Sequence, residues 1–287
     1  MRKFRGWRLA AILMLLLLTA CGEKPQVQSA AADPLYIAPE KPVQSELPPR
    51  PAQQPEQAPQ EPALPPYDFG VPLAEREPVE DDWFDDAAFL GDSRTEGLQL
   101  FSGLKHGSFF WLRDAVLYRG ELPKYALFGD GEEKVTMLQA LAQKEYGAVY
   151  VFTGLNELEQ PPEYFRKKLA AFLDRVLELQ PQAVVYLQTV LPVNEEAARG
   201  SGLLDCFTNA GVDAFNDVIR ELAAEKRVVL LDTAEIYRGE DGGLPGEMTS
   251  DGCHFKPKYY KRWAEYLRTH VMEPETYHQY REQEMTV

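Results

Sequence analysis

The stretch Phe89-Leu90-Gly91-Asp92-Ser93-Arg94-Thr95-Glu96-Gly97 decides the fold. An apolar strand at 87–90 runs into a glycine turn, and Ser93 falls where a helix can begin. In open α/β sheets, ligands bind outside the carboxyl ends of the strands. The order of strand, turn, serine and helix therefore predicts an α/β domain with an accessible hydroxyl at that edge of its sheet.

The following residues alternate between apolar runs and helical periodicity. Continuous apolar runs predict further strands at 148–152, 183–190 and 228–231. Apolar residues at helical spacing predict helices at 135–146, 161–179, 213–225 and 257–271. Strands that are apolar throughout, each followed by a helix, indicate a mainly parallel sheet covered on both faces.

The first 20 residues have the composition of an export signal. Four basic residues precede an apolar run at 9–20, which is shorter than the ~20 residues that a membrane-spanning helix needs. The run ends in Leu18-Thr19-Ala20-Cys21-Gly22, which resembles a bacterial lipobox, where the chain is cut before a cysteine that then carries lipid. We therefore expect an extracytoplasmic protein anchored to the membrane through Cys21. An ordinary signal peptide, or a membrane anchor with a chance cysteine, is the alternative.

Composition divides the rest of the chain into three parts. Residues 21–80 are rich in proline, glutamine, glutamate and alanine, and they are expected to form a disordered, semi-rigid tether. Residues 81–272 have the composition and size of one α/β domain. Residues 273–287 are expected to be a polar tail.

The formal net charge of −15 limits the classes of partner. A surface this acidic repels nucleic acid and anionic lipid headgroups, so a nucleic-acid partner is not expected. It also disfavours a polyanionic substrate, which leaves a neutral or locally zwitterionic ligand.

Two downstream motifs carry the remaining chemical groups. Gly154-Leu155-Asn156-Glu157 follows a predicted strand, and Asp251-Gly252-Cys253-His254 precedes the last predicted helix. A serine hydroxyl is a weak nucleophile until a base removes its proton. Among the four histidines, His254 has a carboxylate close in sequence that can fix its tautomer, which makes it the best candidate for the base.

Taken together, these motifs resemble those of the SGNH hydrolases, also called the GDSL esterases and lipases. The resemblance covers roughly residues 85–272: Gly91-Asp92-Ser93 is similar to the first block of that family, Gly154-Leu155-Asn156-Glu157 to the third and Asp251-Gly252-Cys253-His254-Phe255 to the fifth. It implies a three-layer α/β/α sandwich around a five-stranded parallel sheet, of the flavodoxin-like type.

The resemblance also assigns roles to individual residues. It implies that Ser93 is the nucleophile, His254 the general base and Asp251 its partner. The oxyanion hole is then formed by the Ser93 N–H and the Asn156 amide, beside the turn at Gly154. No cofactor and no metal are implied.

The sequence departs from the family pattern at three places. Glu157 stands where many members have aspartate. Arg94 stands where leucine is commoner, and we expect it on the surface, in a salt bridge with Glu96 or Glu157, with a substrate contact as the alternative. The second-block glycine, a third oxyanion donor in the family, has no clear match. Gly120, Gly129 and the backbone of Ala115 are the candidates for that position.

The cysteines besides Cys21 are expected to have no catalytic role. Cys206 and Cys253 could pair, but two unpaired thiols are the expectation. The side chains of the neighbours Cys253 and His254 are expected to point apart.

The leading hypothesis is a membrane-tethered serine esterase that removes O-acetyl or other short acyl groups from an envelope or extracellular glycan. The same residues could instead transfer the acyl group to a sugar hydroxyl. A non-catalytic glycan- or protein-binding module that retains the fold is a third possibility. A metal site built from Asp251, His254 and Glu157 is a fourth.

Overall fold

The computed structural model describes residues 64–117, 128 and 134–283, and it contains a parallel sheet with helices on both faces. The strands in the described ranges are β1 (Ala87–Gly91), β2 (Ser108–Trp111), β3 (Ala148–Val151), β4 (Val184–Gln188) and β5 (Val229–Leu231). The helices there are α1 (Ser93–Phe101), α2 (Met137–Leu141), α3 (Pro162–Leu179), α4 (Glu195–Gly200), α5 (Asn209–Lys226), α6 (Tyr260–Thr269) and α7 (Pro274–Gln283). The expected α/β/α fold with five parallel strands is confirmed.

The strand order, β2-β1-β3-β4-β5, places β1 at the point where the chain changes direction across the sheet. Gly91 at the end of β1 lies beside Trp111 of β2, and Leu90 lies beside Val151 of β3. The chain goes to one side of β1 for β2 and to the other side for β3. In this topology the crevice used for ligands opens at the carboxyl end of β1, where Ser93 follows.

One face of the sheet packs against α3 and α5. Phe165, Leu169, Leu173 and Val176 of α3 recur at helical spacing and are buried in a single core cluster with β-strand residues such as Leu90 and Val151. The rings of Phe165 and Phe215 stack with centroids 4.1 Å apart, which joins the two helices.

The opposite face packs against α1, α6 and α7. An aromatic ladder crosses four strands there, with ring centroids 4.5, 4.8 and 4.4 Å apart in the order Phe109, Phe89, Tyr150, Tyr186. Helices α1 and α6 approach closely at Gly97, where a Cβ would lie 2.1 Å from the ring of Tyr260. Both faces are thus filled by side chains that alternate along each strand.

Several elements differ from the sequence-based expectation, among them α4, where no helix was predicted. Strand β2 was not predicted, because four half-buried residues at the edge of the sheet lack a distinctive apolar pattern. The helix expected at 135–146 is shorter in the structure, since α2 begins after a capping box formed by Thr136 and Gln139 and ends at Leu141.

The folded unit extends beyond the expected boundaries at both ends. The segment 64–80, expected to belong to the tether, adds Phe69 to the core and donates backbone hydrogen bonds from Leu73, Arg76 and Val79 to the domain. The expected polar tail contains α7, whose Tyr277 is fully buried. Isolated aromatic residues in polar stretches carry no periodicity, so composition alone misses this packing.

The leader at 1–20, Cys21 and most of the proline-rich segment lie outside the described residues. Within the ranges that are described, no helix is both long and apolar enough to cross a membrane.

Candidate active site

Ser93 is the first residue of α1 and is half-buried at the carboxyl edge of the sheet. Asp92 caps this helix, since its Oδ1 accepts a hydrogen bond from the Arg94 N–H at 2.9 Å. The glycine before it is required by space, because a Cβ on Gly91 would lie 2.0 Å from Thr95 Oγ1 and 2.8 Å from the Phe152 carbonyl oxygen. Close packing in the strand–helix turn therefore fixes where the serine hydroxyl emerges.

His254 and Asp251 belong to a compact loop that is closed by a bridge between Thr249 and Phe255. Asp251 Oδ1 accepts hydrogen bonds from the backbone N–H groups of Cys253 at 3.0 Å and His254 at 2.8 Å. Gly252, between Asp251 and Cys253, has φ +92°, and a Cβ there would lie 2.3 Å from the Ala198 nitrogen. Only glycine combines that dihedral with that approach, so the loop geometry depends on it.

The structure brings the three predicted side chains into one hydrogen-bonded row. Ser93 Oγ is 2.8 Å from His254 Nε2, and His254 Nδ1 is 2.7 Å from Asp251 Oδ2. The side chains of His254 and Asp251 are 44% and 40% exposed, so the row lies in an open site. This arrangement can move the serine proton to Nε2 while the carboxylate holds the Nδ1–H tautomer.

The lowered pKa of Asp251 suits the role of a carboxylate that holds the His254 ring. Burial raises the pKa of its carboxyl, but hydrogen bonds from the His254 backbone and ring and from the Cys253 N–H outweigh burial and lower the pKa to about 2. Asp251 is therefore ionised near neutral pH and accepts the ring N–H.

Asn156 is placed near the site, but its amide is engaged. Its Nδ2 donates to the carbonyl oxygens of Arg113 at 3.2 Å and Ala115 at 3.0 Å, in the loop after β2. Each amide hydrogen thus has an acceptor, and donation to a substrate oxygen requires the loop to release one of them. Gly154 lies in the turn before it with φ +129°, and a Cβ there would lie 2.5 Å from Val190 Cγ2.

The position of a third oxyanion donor is not filled by Ala115. Its N–H donates to the Leu112 carbonyl at 3.0 Å within a turn, so it is not directed to a ligand. The other candidates, Gly120 and Gly129, lie outside the described residues.

Arg94 is buried, which overturns the expectation of a surface salt bridge. The two proposed carboxylate partners are engaged elsewhere: Glu96 accepts two hydrogen bonds from Arg113, at 2.6 and 2.7 Å. Glu157 accepts from the Leu117 N–H at 2.8 Å. The guanidinium of Arg94 instead donates to three backbone carbonyls.

Asp92 and Glu157 carry buried carboxyl groups, and Glu157 contacts the loop after β2. Burial, and secondarily the charge of Asp92, raise the pKa of Glu157 to about 7, while hydrogen bonds from the Leu117 N–H and the Thr153 hydroxyl oppose the shift. Burial also raises the pKa of Asp92. Asp92 Oδ2 and Glu157 Oε2 are buried without a hydrogen-bond partner among the described residues. The negative charges of two ionised carboxylates repel, so the charge of Asp92 favours the protonated form of Glu157.

Cys253 contacts the histidine, contrary to expectation. Its Sγ is 3.3 Å from His254 Nδ1, because the Asp251 turn folds the two neighbours to one side. Burial raises the pKa of the Cys253 thiol to about 11, so it is a poor nucleophile at neutral pH. Cys206 and Cys253 are unpaired, as expected.

Two further groupings of ionisable side chains are a possible metal site beside His254 and a second histidine–carboxylate pair. The ligand atoms of Asp251, Cys253 and His254 lie within 4.8 Å of one another and could hold a metal ion, whereas Glu157 is not part of this group. His106 also has a carboxylate partner, Asp85, at 2.5 Å. Asp85 precedes β1, at the edge of the sheet opposite Ser93, so this pair does not belong to the site.

An apolar pocket lies beside Gly91, two residues before Ser93. Gly91 and Thr153, at the carboxyl ends of β1 and β3, form part of its wall. The remaining wall comes from the loop after β2 and from α2 and α3, through apolar residues that include Leu112, Val116, Met137 and Phe172.

Comparison with known proteins gives the class. The sequence profile of the GDSL-like Lipase/Acylhydrolase family matches residues 89–262, more than half of the chain, and the chain belongs to this family. No curated protein matches it.

Solved structures share the fold. A structure from Streptococcus pneumonia, whose name refers to platelet activating factor, is 21% identical, with a TM-score of 0.50 over 63% of this chain and 81% of that one. A GDSL-like lipase from Bacteroides thetaiotaomicron is 16% identical, with a TM-score of 0.46 over 66% and 88%. An acetyl xylan esterase is 15% identical, with a TM-score of 0.49 over 65% and 99%.

Proposed function

We propose that this GDSL-family protein is a membrane-tethered, extracytoplasmic serine esterase that removes O-acetyl or other short acyl groups from an envelope or extracellular glycan. One observation carries the proposal: Ser93 Oγ lies 2.8 Å from His254 Nε2, while His254 Nδ1 lies 2.7 Å from Asp251 Oδ2. Nucleophile, base and orienting acid are thereby within hydrogen-bond reach of one another.

The chemistry follows from this row. Ser93 Oγ attacks the ester carbonyl as its proton passes to His254 Nε2, and Asp251 stabilises the imidazolium. The tetrahedral intermediate collapses when His254 returns the proton to the leaving sugar oxygen, which leaves an acyl-serine. Water, deprotonated by His254, then attacks the acyl-serine, releases the carboxylic acid and restores the serine hydroxyl.

The oxyanion is stabilised by the first turn of α1 and by Asn156. The Ser93 N–H belongs to the helix end whose amides lack intrahelical acceptors. Asn156 contributes once the carbonyl of Arg113 or Ala115 has been displaced from its amide. One such donor supports about a 100- to 1,000-fold gain in rate.

The substrate class rests on exposure and charge. The His254 and Asp251 side chains are 44% and 40% exposed, so a bulky sugar polymer can present an ester without entering a tunnel. The net charge of −15 disfavours polyanions. The lipobox-like cysteine at Cys21 and the proline-rich segment after it support placement outside the cytoplasm on a tether.

A comparison of variants on an activated acetate ester tests the proposal. Wild type should hydrolyse the ester and be labelled at Ser93 by a fluorophosphonate, whereas Ser93→Ala and His254→Ala should lose both properties, with a rate at least ~1,000-fold lower. His106→Ala is the matched control, since its own carboxylate pair lies at the opposite edge of the sheet.

Each contrary outcome has a defined meaning. Equal rates in wild type and Ser93→Ala would refute the esterase. An acylated product formed from an added glycan acceptor would point to acyl transfer by the same residues. Absence of labelling, together with retained glycan binding, would indicate a non-catalytic module.

A further inference from the structure

Arg94 is a buried cation at the centre of the site. Its side chain is fully inaccessible to solvent, although the residue before it is the half-buried Ser93. Nε donates to the Cys253 carbonyl at 2.7 Å, Nη1 to the Leu191 carbonyl at 2.9 Å and Nη2 to the Pro192 carbonyl at 3.2 Å. Burial of a charge is costly unless it is hydrogen-bonded, so these three contacts hold the guanidinium firmly in one place.

These contacts join the two segments that carry the reacting groups. Arg94 follows Ser93 directly, and Cys253 precedes His254 directly, so one side chain links the immediate neighbours of nucleophile and base. The guanidinium also lies over the ring of Phe255, 5.3 Å from its centroid. Phe255 directly follows His254 in the sequence, so Arg94 contacts both neighbours of the base.

The loop after β4 is a third segment that is hydrogen-bonded both to Arg94 and to the loop that carries His254. Leu191 and Pro192 accept the remaining guanidinium hydrogen bonds. Two residues further, the Asn194 N–H donates to the Gly252 carbonyl at 2.8 Å. The planar fork of an arginine can meet several acceptors in fixed directions, which a lysine ammonium on a flexible stem does not reproduce.

We propose that Arg94 is a positioning residue that fixes the distance between Ser93 Oγ and His254 Nε2. The inference rests on the proposed esterase function. Proton transfer needs both atoms within hydrogen-bond reach, and a displacement of about 1 Å can cost ~100-fold in rate. Arg94 does not touch the substrate, so its loss acts through kcat.

Kinetics of three variants test this role in the full chain. Arg94→Met keeps an unbranched apolar stem about as long as the arginine side chain up to Nε and removes the donors, and kcat on an activated acetate ester should fall by about 100-fold with less than a ~3-fold change in KM. Arg94→Lys should retain part of the contacts and fall less. Leu169→Ala, a buried substitution in α3, is the control that lowers stability without altering kcat of the folded protein.

The values of kcat distinguish a positioning role of Arg94 from a purely stabilising one. A kcat for Arg94→Met within ~3-fold of wild type overturns the proposal, as does an equal loss of kcat in Leu169→Ala, since either result reduces Arg94 to a stabilising core residue. Partial recovery in Arg94→Lys supports it, and that variant also serves if Arg94→Met does not fold.

A crystal structure of the variant supplies a readout that is independent of activity. In Arg94→Met, the separation of Ser93 Oγ and His254 Nε2 should exceed the ~3.5 Å limit of a hydrogen bond while the sheet is preserved, and in Arg94→Lys it should lengthen by less. An unchanged separation refutes the positioning role. If wild type hydrolyses no ester, the proposed function fails, and this distance still decides whether Arg94 sets the geometry.

Discussion

Glu157 shows what one additional methylene does in this site. Many members of the family have aspartate at this position. The longer glutamate side chain reaches the loop after β2, where its Oε1 accepts a hydrogen bond from the Leu117 N–H at 2.8 Å. The side chain is 2% exposed, and its second oxygen lacks a hydrogen-bond partner among the described residues. Burial of a charged carboxylate without full hydrogen bonding costs free energy, so burial favours the protonated form of Glu157.

The protonation of Glu157 makes stability depend on pH. Burial raises its pKa in the folded state to about 7, whereas the unfolded chain has a value near ~4.3. The folded state binds the proton more tightly, so Glu157 contributes most below about pH 4.3, and its contribution is lost as the pH rises to about 7. The pKa values differ by about 2.7 units, so the loss is at most about 4 kcal/mol at 1.36 kcal/mol per pKa unit.

Glu157→Gln should remove this dependence. Glutamine cannot ionise, and its side-chain oxygen can still accept from Leu117 and Thr153. We expect the free energy of unfolding of the variant, relative to wild type, to rise between about pH 4.5 and pH 8 in urea titrations.

The matched control is Glu163→Gln, an exposed residue in the first turn of α3. Its difference from wild type should stay nearly constant over the same range. A constant difference for Glu157→Gln as well would show that Glu157 titrates normally in the folded protein.

At the scale of single elements, helix α7 is the clearest case of packing that composition conceals. Most of its residues are polar, yet Tyr277 points into the core and donates its hydroxyl to the Arg227 carbonyl at 3.2 Å. Its ring lies 6.2 Å from that of Phe69 in an edge-on arrangement. The helix thus joins the end of the chain to the segment that precedes β1.

Replacement of Tyr277 by alanine should destabilise the protein substantially. A buried aromatic side chain replaced by alanine typically costs about 3–5 kcal/mol, and the hydrogen bond from the Tyr277 hydroxyl to the Arg227 carbonyl is also lost. Urea unfolding of Tyr277→Ala measures the change.

Gln279→Ala on the exposed side of α7 is the control and should stay within about 0.5 kcal/mol of wild type. Equal midpoints for both variants would mean that α7 does not contribute to the core.

At the scale of the whole molecule, the folded unit begins well before residue 81. Backbone N–H groups of Leu73, Arg76 and Val79 donate to the carbonyls of Leu230, Thr269 and Arg268, at 2.9, 2.8 and 3.0 Å. Tyr67 stacks on Tyr280 of α7 with centroids 4.9 Å apart. The segment 64–80 therefore connects α7 and the C-terminal end of α6 to the edge strand β5.

Truncation separates the two candidate boundaries. A fragment of residues 64–287 should unfold at the same urea concentration as the full chain. A fragment of residues 81–287 should unfold earlier, since burial of Phe69 alone contributes roughly 1.5–3 kcal/mol.

The longer fragment is the control for removal of the leader and tether. Coincident unfolding of the two fragments would restore residue 81 as the start of the folded unit.

Much of the fold and of the site could be predicted from the sequence. Four of the strands are continuous apolar runs, and the helix beginning at Ser93 follows directly from a strand and a glycine turn. The pairing of His254 with Asp251 could also be predicted, because the carboxylate lies three residues before the imidazole, and the structure places His254 Nδ1 2.7 Å from Asp251 Oδ2. These features are local, and the physics that sets them acts within a few residues.

The tertiary structure alone decided which polar groups are buried and what they contact. Arg94 meets carbonyls 159 and 97 residues away, and sequence reasoning placed it on the surface because no local pattern signals such partners. Asn156, predicted to face a substrate oxygen, instead holds the loop after β2. A polar side chain lies where distant acceptors offset its desolvation, and only the folded chain brings those acceptors to it.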